Sequence, residues 1–413
     1  MPFHPRENRG SQASRRQFLA LGALAAVAGT GALAGCTRDR PKSTAAADQV
    51  VLSRPDKPAK LPLHSDVPAI KDGLEPEKGG SFKIFNYPEY LDPEVTKAFG
   101  EKYGVTVEVT TFTTQDEAIA KLRTAGSAFD VYFPTTDIVG KLVAGKLLQP
   151  LNKSYLPNTK NVWPELQDPF YDKGAQYTVP YTAFTTGILY RADRVKSVPT
   201  NGWELIWDPA YKGQTYVLDD AREGISLAML RAGKTDLNTE DPAVIKAAGA
   251  DLTKLVDAVN VKVAIGGYQV IAEGAATVHH AWSGDAVSAQ SYLPEGVGAE
   301  VLGFWFPADR KGPVGTDTIA IPRSAAKPVL AHAFLNHMID NDVALQNFGF
   351  TGYQPALSVV TAEKMVADEF IPENLVSAII TPEHYRDGFQ ELQLSATGDR
   401  LWVDEWAKFK AGR

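Results

Sequence analysis

The chain is 413 residues long and carries 42 Lys and Arg against 49 Asp and Glu, a formal charge of −7. That acidic balance disfavours nucleic acid, whose binding is dominated by basic side chains meeting phosphate, and is compatible with a cationic ligand. One cysteine, Cys36, excludes an internal disulfide and any cysteine zinc site or nucleophile in the folded body.

In chain order, Ser14-Arg15-Arg16-Gln17-Phe18-Leu19 comes first, leading into an apolar stretch over 18–34 that ends in Leu33-Ala34-Gly35-Cys36. A twin arginine before a short apolar region reads as a twin-arginine export signal, and the Leu-Ala-Gly-Cys ending resembles a bacterial lipobox. The expectation is a signal peptide over 1–35 and a lipid-modified Cys36 that anchors the chain to the membrane on its extracytoplasmic side. Residues 36–80 hold Pro55, Pro58, Pro62, Pro68 and Pro76 with little apolar periodicity and are expected as a flexible linker.

The folded body is expected from 81. A strand over 81–85 leads to a helix capped by Asp92, opened by Pro93 and stopped by Gly104. A strand over 105–110, a helix over 114–125, a short buried strand over 129–133 and a helix over 136–148 complete a β-α-β-α-β block, the pattern of a parallel sheet with crossover helices. A second block has strands over 187–190, 216–218 and 276–281 and helices over 226–231 and 242–259. Roughly 330 folded residues exceed one ordinary core, so two α/β domains are expected.

The residues just beyond each strand form a set. The first strand ends in Asn86-Tyr87-Pro88-Glu89-Tyr90 and the third in Pro134-Thr135-Thr136-Asp137. The strand over 216–218 runs into Asp220 and Glu223, and the one over 276–281 into Trp282-Ser283-Gly284-Asp285. Asp317 opens a strand over 318–321. Asp220 and Glu223 also fit a plain capping box, but five aromatic or acidic strand ends suit a cation with an apolar body. Carboxylates accept charge-assisted hydrogen bonds from ammonium groups, roughly 1.5–3 kcal/mol each. Aromatic faces take methylene stems and add cation–π attraction of about 0.5–2 kcal/mol.

Competing chemistries are weaker. His279 and His280 are adjacent in a strand and face opposite sides, so they cannot easily share a metal. No Ser-His-Asp set or phosphate-cradling glycine loop stands out. Iron capture would want clustered tyrosines, and a sugar would need fewer carboxylates. Neither a metal nor a cofactor is expected.

The body also resembles the spermidine/putrescine-binding proteins of ABC importers. The matching segments include Asn86-Tyr87-Pro88-Glu89-Tyr90, Gly145-Lys146-Leu147-Leu148-Gln149-Pro150-Leu151, Leu218-Asp219-Asp220-Ala221-Arg222-Glu223, Asp317-Thr318-Ile319-Ala320-Ile321-Pro322 and Gly352-Tyr353-Gln354-Pro355. The resemblance implies an α/β two-domain periplasmic-binding-protein clamp of type II, with mixed or parallel sheets and two hinge crossings. It divides the body into 81–183 plus 314–360 and 184–313 plus 361–413. It further implies a monomeric, non-enzymatic binding protein that delivers a polyamine to a membrane permease, the alternative being another small organic cation or other solute. Glu89, Asp220, Glu223 and Asp317 match the family's amine-binding carboxylates. Tyr87, Tyr90, Trp282 and Tyr353 match its aromatic walls, and Thr135 a small hydroxyl residue. Asp137 stands where an aromatic is usual, and Gly315 where a wall Trp is usual, with Phe304, Trp305 or Phe306 as candidates to fill the gap. The family's late Gln corresponds to Gln390 or Gln393.

Overall fold

The computed structural model describes residues 52–124 and 128–412. The signal peptide over 1–35, Cys36 and the start of the linker lie outside them. Among the described residues no helix is long and apolar enough to cross a membrane.

The strands are β1 (Ser81–Asn86), β2 (Thr106–Thr111), β3 (Val131–Tyr132), β4 (Thr178–Arg191), β5 (Thr215–Val217), β6 (Lys262–Val263), β7 (Val278–Trp282), β8 (Leu302–Trp305), β9 (Pro313–Ala320) and β10 (Phe389–Gln390). They join in the order β2-β1-β3-β9-β4-β7-β5-β6, with β8 beside β4 and β10 beside β9. β1 runs parallel to β2 and β3, and β5 parallel to β6 and β7. β9 and β4 are antiparallel to each other. This is the expected mixed α/β architecture with a parallel half on each side.

The crossings are made by β4 and β9. β4 pairs with β9 through Thr178–Thr185 and with β7 from Thr186 to Tyr190, so a single 14-residue strand passes from one lobe into the other. Only its 187–190 end reads as a strand in the sequence, because Pro180 and a register shift between Pro180 and Thr182 interrupt the alternation. The first lobe has one apolar core, containing Phe82, Phe85, Tyr132 and Trp163. The second has two, one on each face of its sheet: Ile188 faces Trp203 and Trp402, while the next residue, Leu189, faces Ile271 and Phe304, as alternation along a strand requires.

Helix starts agree with the sequence signals. Asp92 accepts from Glu94 N at 2.8 Å, Pro93 opens the helix and Gly104 ends it with φ 66°. The helix expected over 136–148 is shorter: a 3-10 turn over Thr136–Ile138 leads into Val139–Ala144. Ile380 and Tyr385, from the segment expected in the second domain, pack in the same core as Phe82 and Trp163.

Residues 52–80, expected as linker, lie along the first lobe as a strap. Leu61 is buried in the core at 2% exposure. Gln176 Nε2 donates to Leu61 O at 3.1 Å, Tyr177 Oη to Pro62 O, and Asp66 pairs with Lys146 at 3.1 Å. Glu77 accepts from Val329 N and Leu330 N, satisfying free amides in the first turn of helix Pro328–Met338. The prolines that suggest a tether instead hold an extended chain against the surface. Leu61→Ala is expected to cost about 2–4 kcal/mol in urea unfolding, the usual range for a buried leucine; a change near zero would show that the strap does not contribute to the core.

Candidate ligand-binding cleft

β9 runs between β3 and β4, which sets Asp317 between Thr135 on one side and Thr182 on the other. Just past β1, the Asn86 side chain accepts from Tyr87 N at 2.7 Å and its amide donates to Tyr90 O at 3.5 Å. This turn, with Glu89 at φ 54°, brings Tyr90 back over the sheet. Tyr90 Oη donates to Asp317 Oδ2 at 2.7 Å and also bonds Thr182 Oγ1. Asp317 is 7% exposed.

On the second lobe Asp220 caps helix Ala221–Arg231, accepting from Arg222 N at 2.7 Å and Glu223 N at 3.0 Å. The reciprocal half of a capping box is absent. Glu223 turns away and accepts from Trp282 Nε1 at 2.6 Å and Thr186 Oγ1 at 2.9 Å. Trp282 ends β7, and the next helix carries Asp285, 3% exposed. Tyr353 Oη donates to Asp285 Oδ1 at 2.8 Å, and the buried Oδ2 has no hydrogen-bond partner among the described residues.

Rings link these carboxylates. Tyr87 meets Tyr90 edge-on at 5.8 Å, Tyr90 meets Tyr353 at 4.9 Å, and Phe184 contacts both Tyr353 and Trp282 at 6.3 Å. Two glycines make room. A Cβ on Gly315 would meet the Phe184 ring at 2.4 Å, and one on Gly284 would meet Tyr353 at 2.5 Å. Phe184 thus fills the space that Gly315 leaves. The candidates drawn from sequence lie elsewhere: Phe304 is in a core, Trp305 packs on Trp203, and Phe306 packs on His384.

Removal from water dominates the electrostatics. Burial pushes Glu223 up to about 7, with the Asp220 charge adding to it and the bonds from Trp282 and Thr186 opposing it. Burial likewise raises Asp285 and Asp317 to about 7; Glu223 adds to the first and Asp137 to the second, while Tyr353 and Tyr90 each hold their partner down. An ammonium group beside such carboxylates favours the charged form that burial penalises.

The other expected residues take different positions. Asp137 accepts from Thr135 Oγ1 at 2.6 Å and lies close enough to Asp317 to raise it. Glu89 is exposed at the rim, where Tyr292 Oη of the second lobe donates to it at 3.1 Å. Asp220 commits an oxygen to its helix. Gln390 Nε2 donates to Tyr385 O at 3.0 Å, whereas Gln393 is buried beside Asp137. His279 and His280 are buried and held near 4 and 3 by loss of hydration, and no cluster of metal-ligating residues occurs among the described residues. Sequence reasoning assigned no role to Phe184 or Glu391, and included Asp285 only within the strand-end segment Trp282-Ser283-Gly284-Asp285. Asp285 stands in the same strand-end segment as Trp282, so a signal for it existed. Phe184 had no signal, because it lies mid-strand.

The chain matches the profile of the bacterial extracellular solute-binding proteins over residues 94–372. It belongs to that family. This solute-binding protein is 30% identical over 340 residues to a putrescine/cadaverine-binding protein of Pseudomonas aeruginosa, covering 78% of the chain and 92% of that relative. It is 28% identical over 311 residues to a spermidine/putrescine-binding periplasmic protein of Haemophilus influenzae, covering 74% and 83%. Among solved structures, a putative spermidine/putrescine ABC transporter protein of Listeria monocytogenes superposes with a TM-score of 0.70 at 25% identity, covering 81% of this chain and 99% of that one. The two-lobed clamp is the shared fold.

Glu223 ionises at about 7 here against its ordinary 4.5, so the packed arrangement holds more protons than the unfolded chain between those values. Its stabilising contribution is complete below 4.5 and is lost as pH rises through 7. The melting temperature is therefore expected to fall between pH 5 and 8, and to fall less in Glu223→Gln. Equal falls in both proteins would contradict the burial of this carboxylate.

Proposed function

We propose that this chain captures a polyamine between its lobes and delivers it to the membrane permease of an ABC importer. The observation that carries this is the set of three carboxylates, Glu223, Asp285 and Asp317, drawn from both lobes and separated by aromatic faces. A chain of methylenes with an ammonium at each end fits that alternation. A monoamine would leave a buried carboxylate unpaired, which is costly. Tyr87, Tyr90, Phe184, Trp282 and Tyr353 take the stem. Glu89, Thr135, Asp137 and Asp220 shape the polar edge of the same cleft. The names of the relatives support the same ligand class.

The ligand bridges Asp317 on the first lobe and Glu223 with Asp285 on the second, so the closed arrangement is the one it binds best. Lobe closure occurs by bending of β4 and β9, and no bond is made or broken. The twin-arginine leader and Cys36 support a chain that works outside the cytoplasm, anchored to the membrane by lipid.

Calorimetry and thermal shift on the chain lacking residues 1–36 test this, with putrescine, cadaverine, spermidine, spermine and agmatine against maltose and glutamate. At 100 times its dissociation constant, a ligand adds about 2.7 kcal/mol of stability. Stabilisation by polyamines alone is expected, with Asp317→Asn and Glu223→Gln each weakening affinity about 10- to 100-fold, the range of one charge-assisted hydrogen bond. Stabilisation by a control alone, or unchanged affinity in both variants, would refute the assignment.

A further inference from the structure

The strap is fastened along the first lobe and reaches beyond it at its start. Leu61 lies in the first lobe's core, Ala59 N donates to Phe170 O at 3.4 Å, and His64 Nε2 donates to Val143 O at 2.9 Å. Further on, Asn152 Nδ2 donates to Ile70 O at 3.0 Å. Before Leu61 the strap meets a different partner. Arg54 Nη2 donates to Gln393 O at 2.8 Å, and Gln393 is 7% exposed.

That acceptor is held by the second lobe. Its segment begins at β10, beside the crossing strand β9, and then attaches to the second lobe. Leu394 is buried with Trp402 and Trp406, Leu392 N donates to Asn238 Oδ1 at 2.8 Å, and Ser395 N donates to Glu240 Oε1 at 2.8 Å. The bonds from Ser395, with the Arg54 charge adding to them, hold Glu240 below its usual range. A second pair, Lys141 with Asp399 at 2.7 Å, also joins the lobes, but about a third of each side chain is exposed, and such pairs contribute little. Arg54 differs because the strap presents it. Arg54 and Lys57 exchange backbone bonds at 3.2 and 3.1 Å, Pro55 and Pro58 each fix a φ angle, and Leu61 pins the chain beyond them. Little freedom is left to lose when the bond forms, so ordering costs little.

We propose that the strap is a clasp: held on the first lobe, it fastens the second lobe through Arg54 when the clamp is closed, and so slows the release of the ligand in the cleft. Opening carries the segment after β10 with the second lobe, away from the strap, and breaks the Arg54 bond. The bond therefore favours the closed arrangement alone, and a contact that differs between two states shifts their balance. Arg54 is a positioning residue, acting through the lobes. A tie made after the ligand has entered slows dissociation and leaves association nearly unchanged. The inference rests on the proposed reading of the chain as a ligand-binding clamp, and it holds for any solute the clamp closes on.

The test is stopped-flow tryptophan fluorescence on the chain lacking residues 1–36, strap included, with putrescine and spermidine, together with small-angle scattering without ligand at pH 5.5. Arg54→Ala is expected to speed release about three- to tenfold, the lower part of the range for a charge-assisted hydrogen bond because Arg54 is partly exposed. The factor is expected to be the same for both amines, with association within about twofold. Arg54→Lys keeps a charged donor and is expected to fall between wild type and Arg54→Ala. Without ligand, Arg54→Ala is expected to have a larger radius of gyration than wild type. A lower melting temperature with unchanged release and radius is what a merely structural strap would produce, and it overturns the clasp. Faster release of one amine alone would show residue 54 acting on the ligand directly, and it overturns the clasp too. If wild type binds neither amine, the proposed polyamine function falls and the radius decides the clasp: equal radii in wild type and Arg54→Ala overturn it.

Discussion

A buried carboxylate without a counter-charge is unstable, and this clamp holds several of them together. Glu223, Asp285 and Asp317 all lie in the cleft with little exposure, and each is pushed toward neutrality by loss of hydration. Every neighbouring feature responds to that strain. Hydroxyls and an indole donate to the carboxylates, rings from both lobes exclude water around them, and the two glycines let those rings come close. On the proposed reading, a multivalent cation would relieve the repulsion when the lobes meet, so that closure and capture become one event.

The fold places this chemistry at a hinge rather than in either core. Asp317 sits on β9 and Thr186 on β4, the two strands that cross between lobes. Phe184, two residues before Thr186, lies on the first-lobe side of the same crossing. Tyr90 and Asp317 thus lie on the first-lobe side of these crossings, and Trp282 and Glu223 on the second-lobe side. The strap adds a further tie: Leu61 anchors it in the first lobe while Arg54 reaches the segment after β10.

Much of the candidate cleft was legible in the sequence because its residues lie at strand ends. Asn86 through Tyr90, Asp220 with Glu223, and Trp282 stand out where an apolar run meets polar residues. The bland reading of Asp220 as a helix cap is also realised, for one oxygen serves the helix while Glu223 turns to the cleft. The rest was hidden for physical reasons. Phe184 sits within a strand whose alternation Pro180 and a register shift obscure. Asp285 was half visible, as part of the strand-end segment with Trp282, but it lies on a helix three residues past the strand and only the fold turns it inward. Glu391 comes directly after a two-residue strand with no pattern to read. Leu61 is a lone apolar residue among prolines, so nothing local distinguishes a packed strap from a tether.

The central claim is that carboxylate repulsion opposes closure and that neutralising it favours closure. Burial raises these groups to about 7; if opening the lobes hydrates them, the closed arrangement binds more protons than the open one, and acid should favour closure just as a polyamine does. Small-angle X-ray scattering measures this directly. At pH 8 without amine the radius of gyration should be larger than at pH 5.5, and saturating spermidine at pH 8 should reproduce the smaller value. Contraction with spermidine and no change with pH would show that the carboxylates do not govern closure.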